Sequence, residues 1–176
     1  MVKKVLQSTN PKLRLKSKAV GKIDKKIFRL IQDLKDTLAV QKEPEGVGLA
    51  APQIGKNLRM FIVSYKNIKR VVINPEILET QTTHHKAQST KHNEIMEGCL
   101  SLPNFYGPLK RADFVKLKYQ DETGKERVED FKGFFAQIIL HETDHLEGIL
   151  FVDRLLSAKS PLFRLKGEEW EEVELI

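Results

Sequence analysis

Gly133-Phe134-Phe135-Ala136-Gln137-Ile138-Ile139-Leu140-His141-Glu142-Thr143-Asp144-His145-Leu146-Glu147-Gly148 is the stretch around which the rest of the chain is arranged. Phe134, Ile138, His141 and His145 recur at helical spacing and make one continuous face. Phe135, Ile139, Glu142 and Leu146 line the face beside it. The spacing predicts a helix over about 133–147, stopped at Gly148. Apolar residues flank it on both sides, so the helix is expected to be central and buried.

Within it, His141-Glu142-Thr143-Asp144-His145 has the form H-E-x-x-H. Two imidazoles one turn apart can share a metal ion, and the Glu beside the first can act as general base toward water held there. With 5 His and 16 Glu in 176 residues, chance gives such a match in roughly one chain in a hundred. Buried histidines need a partner, and a metal supplies one. A hydrolytic centre needs a third ligand and an open position. Cys99 is the only thiol in the chain and is nominated for that place, with an acidic side chain or a histidine of the 80–93 segment as alternatives.

Working outward, Val115, Leu117 and Tyr119 alternate with Lys116, Lys118 and Gln120, and Asp121 to Gly124 supply a turn. This predicts a β-hairpin over 114–131 in a sheet with one wet face. Strands are expected at 58–65 and 70–73, ending at Asn74-Pro75, with a short continuation at Ile77-Leu78. Residues 80–93, with His84, His85 and His92, read as a polar surface loop rather than a second metal site. Asp24 is the expected N-cap of an N-terminal helix whose stripe is Ile27, Leu30, Ile31, Leu34 and Leu38, ending before Pro44. Three glycines and a proline in Gly46 to Gly55 exclude a regular helix there and permit close approach of backbone to another chain. Beyond Arg154 the chain is expected to be peripheral. The Glu-rich end with Trp170 leaves a short helix, an edge strand and a disordered tail all open.

The length suits one domain, 1–176, with an acidic C-terminal tail at 168–176. A content of 40 % hydrophobic and 31 % charged residues is that of a soluble globular protein. No apolar run is long enough for a membrane span, and none resembles a secretion signal. One cysteine excludes an internal disulfide, which fits a reducing compartment. The net charge of +6 is read as a solvated Lys-rich surface, with attraction to a ribonucleoprotein polyanion as the other reading. No motif supports sequence-specific nucleic-acid readout. The basic, acid-free first 23 residues read as a folded arm, with organellar import left open.

Three stretches together resemble the peptide deformylase family: Gly46-Val47-Gly48-Leu49-Ala50-Ala51-Pro52-Gln53, Glu97-Gly98-Cys99-Leu100-Ser101 and His141 to His145, in that family's order. The resemblance implies an α+β fold of antiparallel β-sheets around a central metal-binding helix. It implies Cys99, His141 and His145 as metal ligands, Glu142 as proton shuttle, and Gln53 with the Leu100 backbone N–H as oxyanion donors. Gly46, Val47, Gly48 and Leu49 would border the extended peptide, with Tyr106, Phe134, Gln137 and Ile138 also contacting substrate. Glu97 and Arg111 would form a supporting salt bridge. The implied reaction is removal of the formyl group from the formylmethionine of nascent polypeptides by a cytoplasmic, bacterial-type enzyme, with transient ribosome contact. The implied ion is Fe2+, which spacing does not separate from Zn2+, Ni2+ or Co2+. Met96, Tyr106 and Gln137 depart from the family's usual residues. Two rivals carry the same motif: a zinc endopeptidase, and a metal-stabilised binding protein on ribosomes or RNA.

Overall fold

The computed structural model describes residues 1–42, 45–82 and 96–174. Helix α1 (Lys25–Ala39) begins where expected, because the Asp24 carboxylate accepts from the backbone N–H groups of Lys26 and Ile27. Its stripe, Ile27, Leu30, Ile31, Leu34 and Leu38, is buried. Strand β1 (Gly48–Ala50) runs into a short 3-10 turn (Ala51–Ile54), which Gly55 closes with a φ of 78°. Strands β2 (Met60–Tyr65) and β3 (Ile68–Gln81) follow, then β4 (Met96–Cys99), β5 (Leu102–Pro108), β6 (Phe114–Gln120) and β7 (Glu126–Lys132). Helix α2 (Phe134–Leu146) carries the H-E-x-x-H motif, and α3 (Phe151–Ala158), β8 (Leu162–Lys166) and β9 (Glu169–Val173) complete the chain.

The strands form two antiparallel sheets, in the orders β1-β2-β3-β6-β7 and β4-β5-β8-β9. Strand β2 explains the architecture. Phe61 and Val63 face a cluster that includes Ala136, Ile139 and Leu146 of α2. Met60 and Ile62 face the cluster built on α1. A strand buried on both faces reads as a continuous apolar run, which is the pattern Met60 to Val63 shows. The first sheet is thus clasped between the two helices, and α2 lies at the centre of the fold. A third cluster joins Cys99 to Leu109, Phe151, Leu155 and Leu162.

Two expectations are corrected. The third strand and its expected Ile77-Leu78 continuation are one longer element: β3 runs through Asn74-Pro75 to Gln81, across a register shift between Ile73 and Glu76. Asn74 takes a φ of 51° there, and its side chain exchanges hydrogen bonds with the Val20 backbone, so the turn chemistry of Asn-Pro serves a bulge. Nor is the chain peripheral beyond Arg154. Leu155 and Leu162 are buried, and of the three states open for the Glu-rich end the structure has the edge strand, β9. His84, His85 and His92 lie outside the described residues.

Candidate metal centre

Helix α2 sets two of the three donors. Its apolar side is anchored by Ala136, Ile139 and Leu146, all fully buried, which turns His141 and His145 toward the second sheet. Cys99 arrives at the end of β4, where a register shift between Gly98 and Cys99 re-aims the side chain. The ligand atoms of Cys99, His141 and His145 lie within 4.8 Å of one another. Cys99 Sγ is 3.3 Å from His145 Nε2. Among the described residues no other such group of His, Cys, Asp or Glu occurs.

The surroundings fix this geometry. His141 Nδ1 meets Glu97 Oε1 at 2.7 Å, which leaves Nε2 for the centre. Glu97 in turn receives both arms of Arg111, at 2.6 and 2.8 Å, and Arg111 also donates to Asp144 at 2.8 Å. Arg154 of α3 donates to the same Asp144 carboxylate. Burial disfavours the charged form of Glu97, but Arg111 and His141 outweigh it and hold the carboxyl near 2. Burial likewise opposes ionisation of Cys99, yet the two imidazoles hold its thiol well below the usual range. Burial also opposes charge on His141, and Glu97 and Cys99 override it and raise the imidazole. Cys99 and His141 therefore each favour the charged form of the other.

Glu142 sits beside them, 3 % exposed. Burial lifts its carboxyl to about 7, against the pull of His141 and His145. Among the described residues its Oε2 is buried with no hydrogen-bond partner, as is His145 Nδ1. Gln53 is positioned by the 3-10 turn. Its Oε1 accepts from the Ala50 N–H at 2.8 Å, so its Nε2 points to Cys99 Sγ and Ser101 Oγ, at 3.6 and 3.2 Å. The Ser101 backbone N–H donates to Cys99 Sγ at 3.4 Å.

A cavity of about 260 Å³ opens onto this group. Its wall includes Val47, Gly48, Gln53, Leu100, Tyr106, Phe134, Gln137 and Ile138 together with Cys99, His141 and Glu142. His145 lies behind that wall, 1 % exposed. Two residues named from the sequence as substrate contacts do not line the cavity. Leu49 is fully buried in the cluster under α1, and Gly46 packs against Leu38. Several that do line it were not singled out as contacts: Glu45, Tyr65, Met96 and Gly98. Tyr65 packs edge-on against Phe134 at 5.0 Å; nothing distinguishes it in sequence from any other strand-end aromatic. Asp144 was also missed, because its partners are supplied by distant elements.

A thiolate and two imidazoles converging on one point, beside an acid with an open carboxylate oxygen, suit a divalent ion with a free position. The family model described as polypeptide deformylase matches residues 2–160. This chain belongs to the polypeptide deformylase family. Peptide deformylase from Dictyoglomus turgidum is 41 % identical over 156 residues, covering 88 % of this chain and 93 % of that protein. The crystal structure of a peptide deformylase from Legionella pneumophila superposes with a TM-score of 0.77 at 36 % identity, over 88 % of this chain and 86 % of that one. A Met-Ala-Ser-bound peptide deformylase from Acinetobacter baumannii gives 0.75 at 33 % identity, over 88 % and 98 %. The chain is accordingly a metallohydrolase that removes the N-formyl group from newly made polypeptides. The α+β class of antiparallel sheets about a central helix is that of the deformylase structures.

Proposed function

We propose that this deformylase is a single catalytic domain in which Cys99, His141 and His145 hold one Fe2+ and Glu142 moves the protons of the reaction. The observation that carries this reading is the convergence of those three donors within 4.8 Å, next to a buried carboxylate with an unpartnered oxygen. Zn2+, Ni2+ and Co2+ suit the same donors, and iron is favoured by the family resemblance. Bound there, a divalent ion supplies Lewis acidity that polarises a carbonyl and lowers the pKa of water.

The protein's own groups do the rest. A formyl-methionyl peptide enters the cavity with its methionine side chain among Val47, Phe134, Gln137 and Ile138. Gly48 and its neighbours lie alongside the peptide backbone as an added strand. Glu142 takes a proton from the attacking water, whose oxygen bonds to the formyl carbon. Gln53 Nε2 and the Leu100 N–H face the oxygen that becomes negative. The carbon–nitrogen bond then breaks, Glu142 delivers the proton to the departing amine, and formate and a free N-terminus result. The Met-Ala-Ser peptide bound to the Acinetobacter baumannii relative has the chemistry of such a product.

We place the enzyme in the cytoplasm, acting on chains as they leave the ribosome, with transient ribosome contact through its basic surface. No described helix is long and apolar enough to cross a membrane. The test is anaerobic purification with metal analysis, followed by assay of formyl-Met-Ala and of an internal peptide bond. One equivalent of iron with formate release supports the reading; cleavage of the internal bond at a matching rate favours the endopeptidase rival.

A further inference from the structure

The outer face of the second sheet carries a feature that formyl-group chemistry does not use. Gly98 of β4 stands opposite Tyr106 of β5, Tyr106 opposite Phe163 of β8, and Leu165 opposite Trp170 of β9. Cross-strand partners share a face, and residues two apart on a strand do too. Met96, Tyr106, Phe163, Leu165 and Trp170 therefore lie on one side of the sheet. The alternate residues, Phe105, Leu162 and Val173, face inward to the cluster around Leu155. The outer strip is partly open: Met96 is 37 % and Trp170 51 % exposed, and Tyr106, Phe163 and Leu165 are half-buried.

This strip is continuous with the catalytic cavity. Met96, Gly98 and Tyr106 line the cavity and also begin the strip. Trp170 packs edge-on against Tyr106 with ring centroids 5.4 Å apart, so the C-terminal hairpin touches a wall of the substrate site directly. Gly98 is required for this layer to lie flat, since a Cβ there would meet the Tyr106 ring at 2.6 Å. The cavity ends at the metal ligands, and a peptide seated in it must leave through its mouth. Crossing from β4 to β9 spans three inter-strand gaps, or roughly 14 Å, which an extended chain covers in about four residues.

We propose that the strip extends the peptide site and that Trp170 selects for an apolar side chain roughly two to four residues beyond the formylmethionine. The occupant is the downstream part of the substrate itself, so the extension rests on the deformylase reading of the cavity. Tyr106 and Trp170 form an aromatic shelf on which that side chain packs, and Glu172, opposite Phe163 on the same face, ends the strip in a negative charge.

Metal-loaded full-length enzyme is assayed on formyl-Met-Ala, formyl-Met-Ala-Ala-Phe and formyl-Met-Ala-Ala-Asp. The Phe peptide is expected to exceed the Asp peptide about two- to tenfold in kcat/KM, through KM. Trp170→Ala brings that ratio close to one, and Trp170→Phe restores it. Trp170 is the only tryptophan of the chain, so the emission of the unaltered enzyme reports on the same contact. The product Met-Ala-Ala-Phe shifts that emission and Met-Ala does not. Equal kcat/KM for the two long peptides, a ratio unmoved by Trp170→Ala, or an emission blind to the tetrapeptide overturns the extension, while turnover of formyl-Met-Ala leaves the deformylase reading standing. Absence of turnover on formyl-Met-Ala overturns that reading and the extension with it.

Discussion

Gly48 faces the carboxylate of Glu142 so closely that a Cβ at position 48 would lie 2.3 Å from Oε1. Strand β1 and helix α2 thus approach closely at the Glu142 carboxylate, and the glycine is what lets them.

Gly48→Ala should therefore displace Glu142 without touching a metal ligand. The expected result is a fall in kcat of about 10²-fold, the scale of a misplaced general base, with metal content unchanged. Steady-state kinetics beside metal analysis checks it. Near-normal turnover would mean that the Glu142 position is not critical.

Gln53→Ala removes an amide whose orientation is fixed by the Ala50 N–H. If Gln53 Nε2 stabilises the developing oxyanion, kcat should drop on the order of 10²–10³-fold with KM little changed. A loss confined to KM would instead make Gln53 a ground-state contact.

Arg111 holds two buried carboxylates at once, Glu97 and Asp144. Its side chain is 7 % exposed, and theirs are 12 % and 10 %. Arg111→Ala leaves Glu97 with only His141 and Asp144 with only Arg154, and should cost about 3 kcal/mol in urea unfolding of the metal-loaded protein, the low end for a broken buried ion pair. Glu97→Gln keeps the volume but weakens the hold on His141, and metal affinity should fall about 10- to 100-fold. A competition titration with a chelator reads the second effect; unchanged affinity would remove Glu97 from the support of the centre.

Tyr119 gives a pH signature away from the site. Burial, aided by the Glu129 charge and opposed by Arg70, raises its phenol from 10.0 to about 12. Between those values the unfolded chain releases the proton and the folded one keeps it. Its contribution to stability is thus complete below pH 10 and is lost as pH rises through about 12. Tyr119→Phe should flatten the fall of the urea midpoint in that window; an equal slope in both proteins would contradict the assignment.

Much of this molecule is legible in its sequence because the decisive features are local. The Asp24 cap, the stripe of α1, the alternation of β6 and the two faces of α2 each need only neighbouring residues. What is not legible depends on distant partners. Asn74-Pro75 looks like a strand end until Val20, 54 residues away, is seen to engage the Asn74 side chain. Asp144 reads as an unremarkable residue of the motif until Arg111 and Arg154 converge on it. The Glu-rich end gives no strand pattern, and its place in the sheet follows from pairing with β8, where Leu165 and Trp170 meet. The glycines at 46–48 announce a close approach, but only the fold shows that Gly48 meets Glu142 while Gly46 meets Leu38.

The central claim is that Glu142 moves protons at a centre held by Cys99, His141 and His145. Glu142→Gln, prepared anaerobically, keeps the shape of the side chain and removes its basicity. Metal content should equal that of the unaltered enzyme while formate release from formyl-Met-Ala falls about 10²–10⁴-fold. Full metal with undiminished turnover would contradict the account.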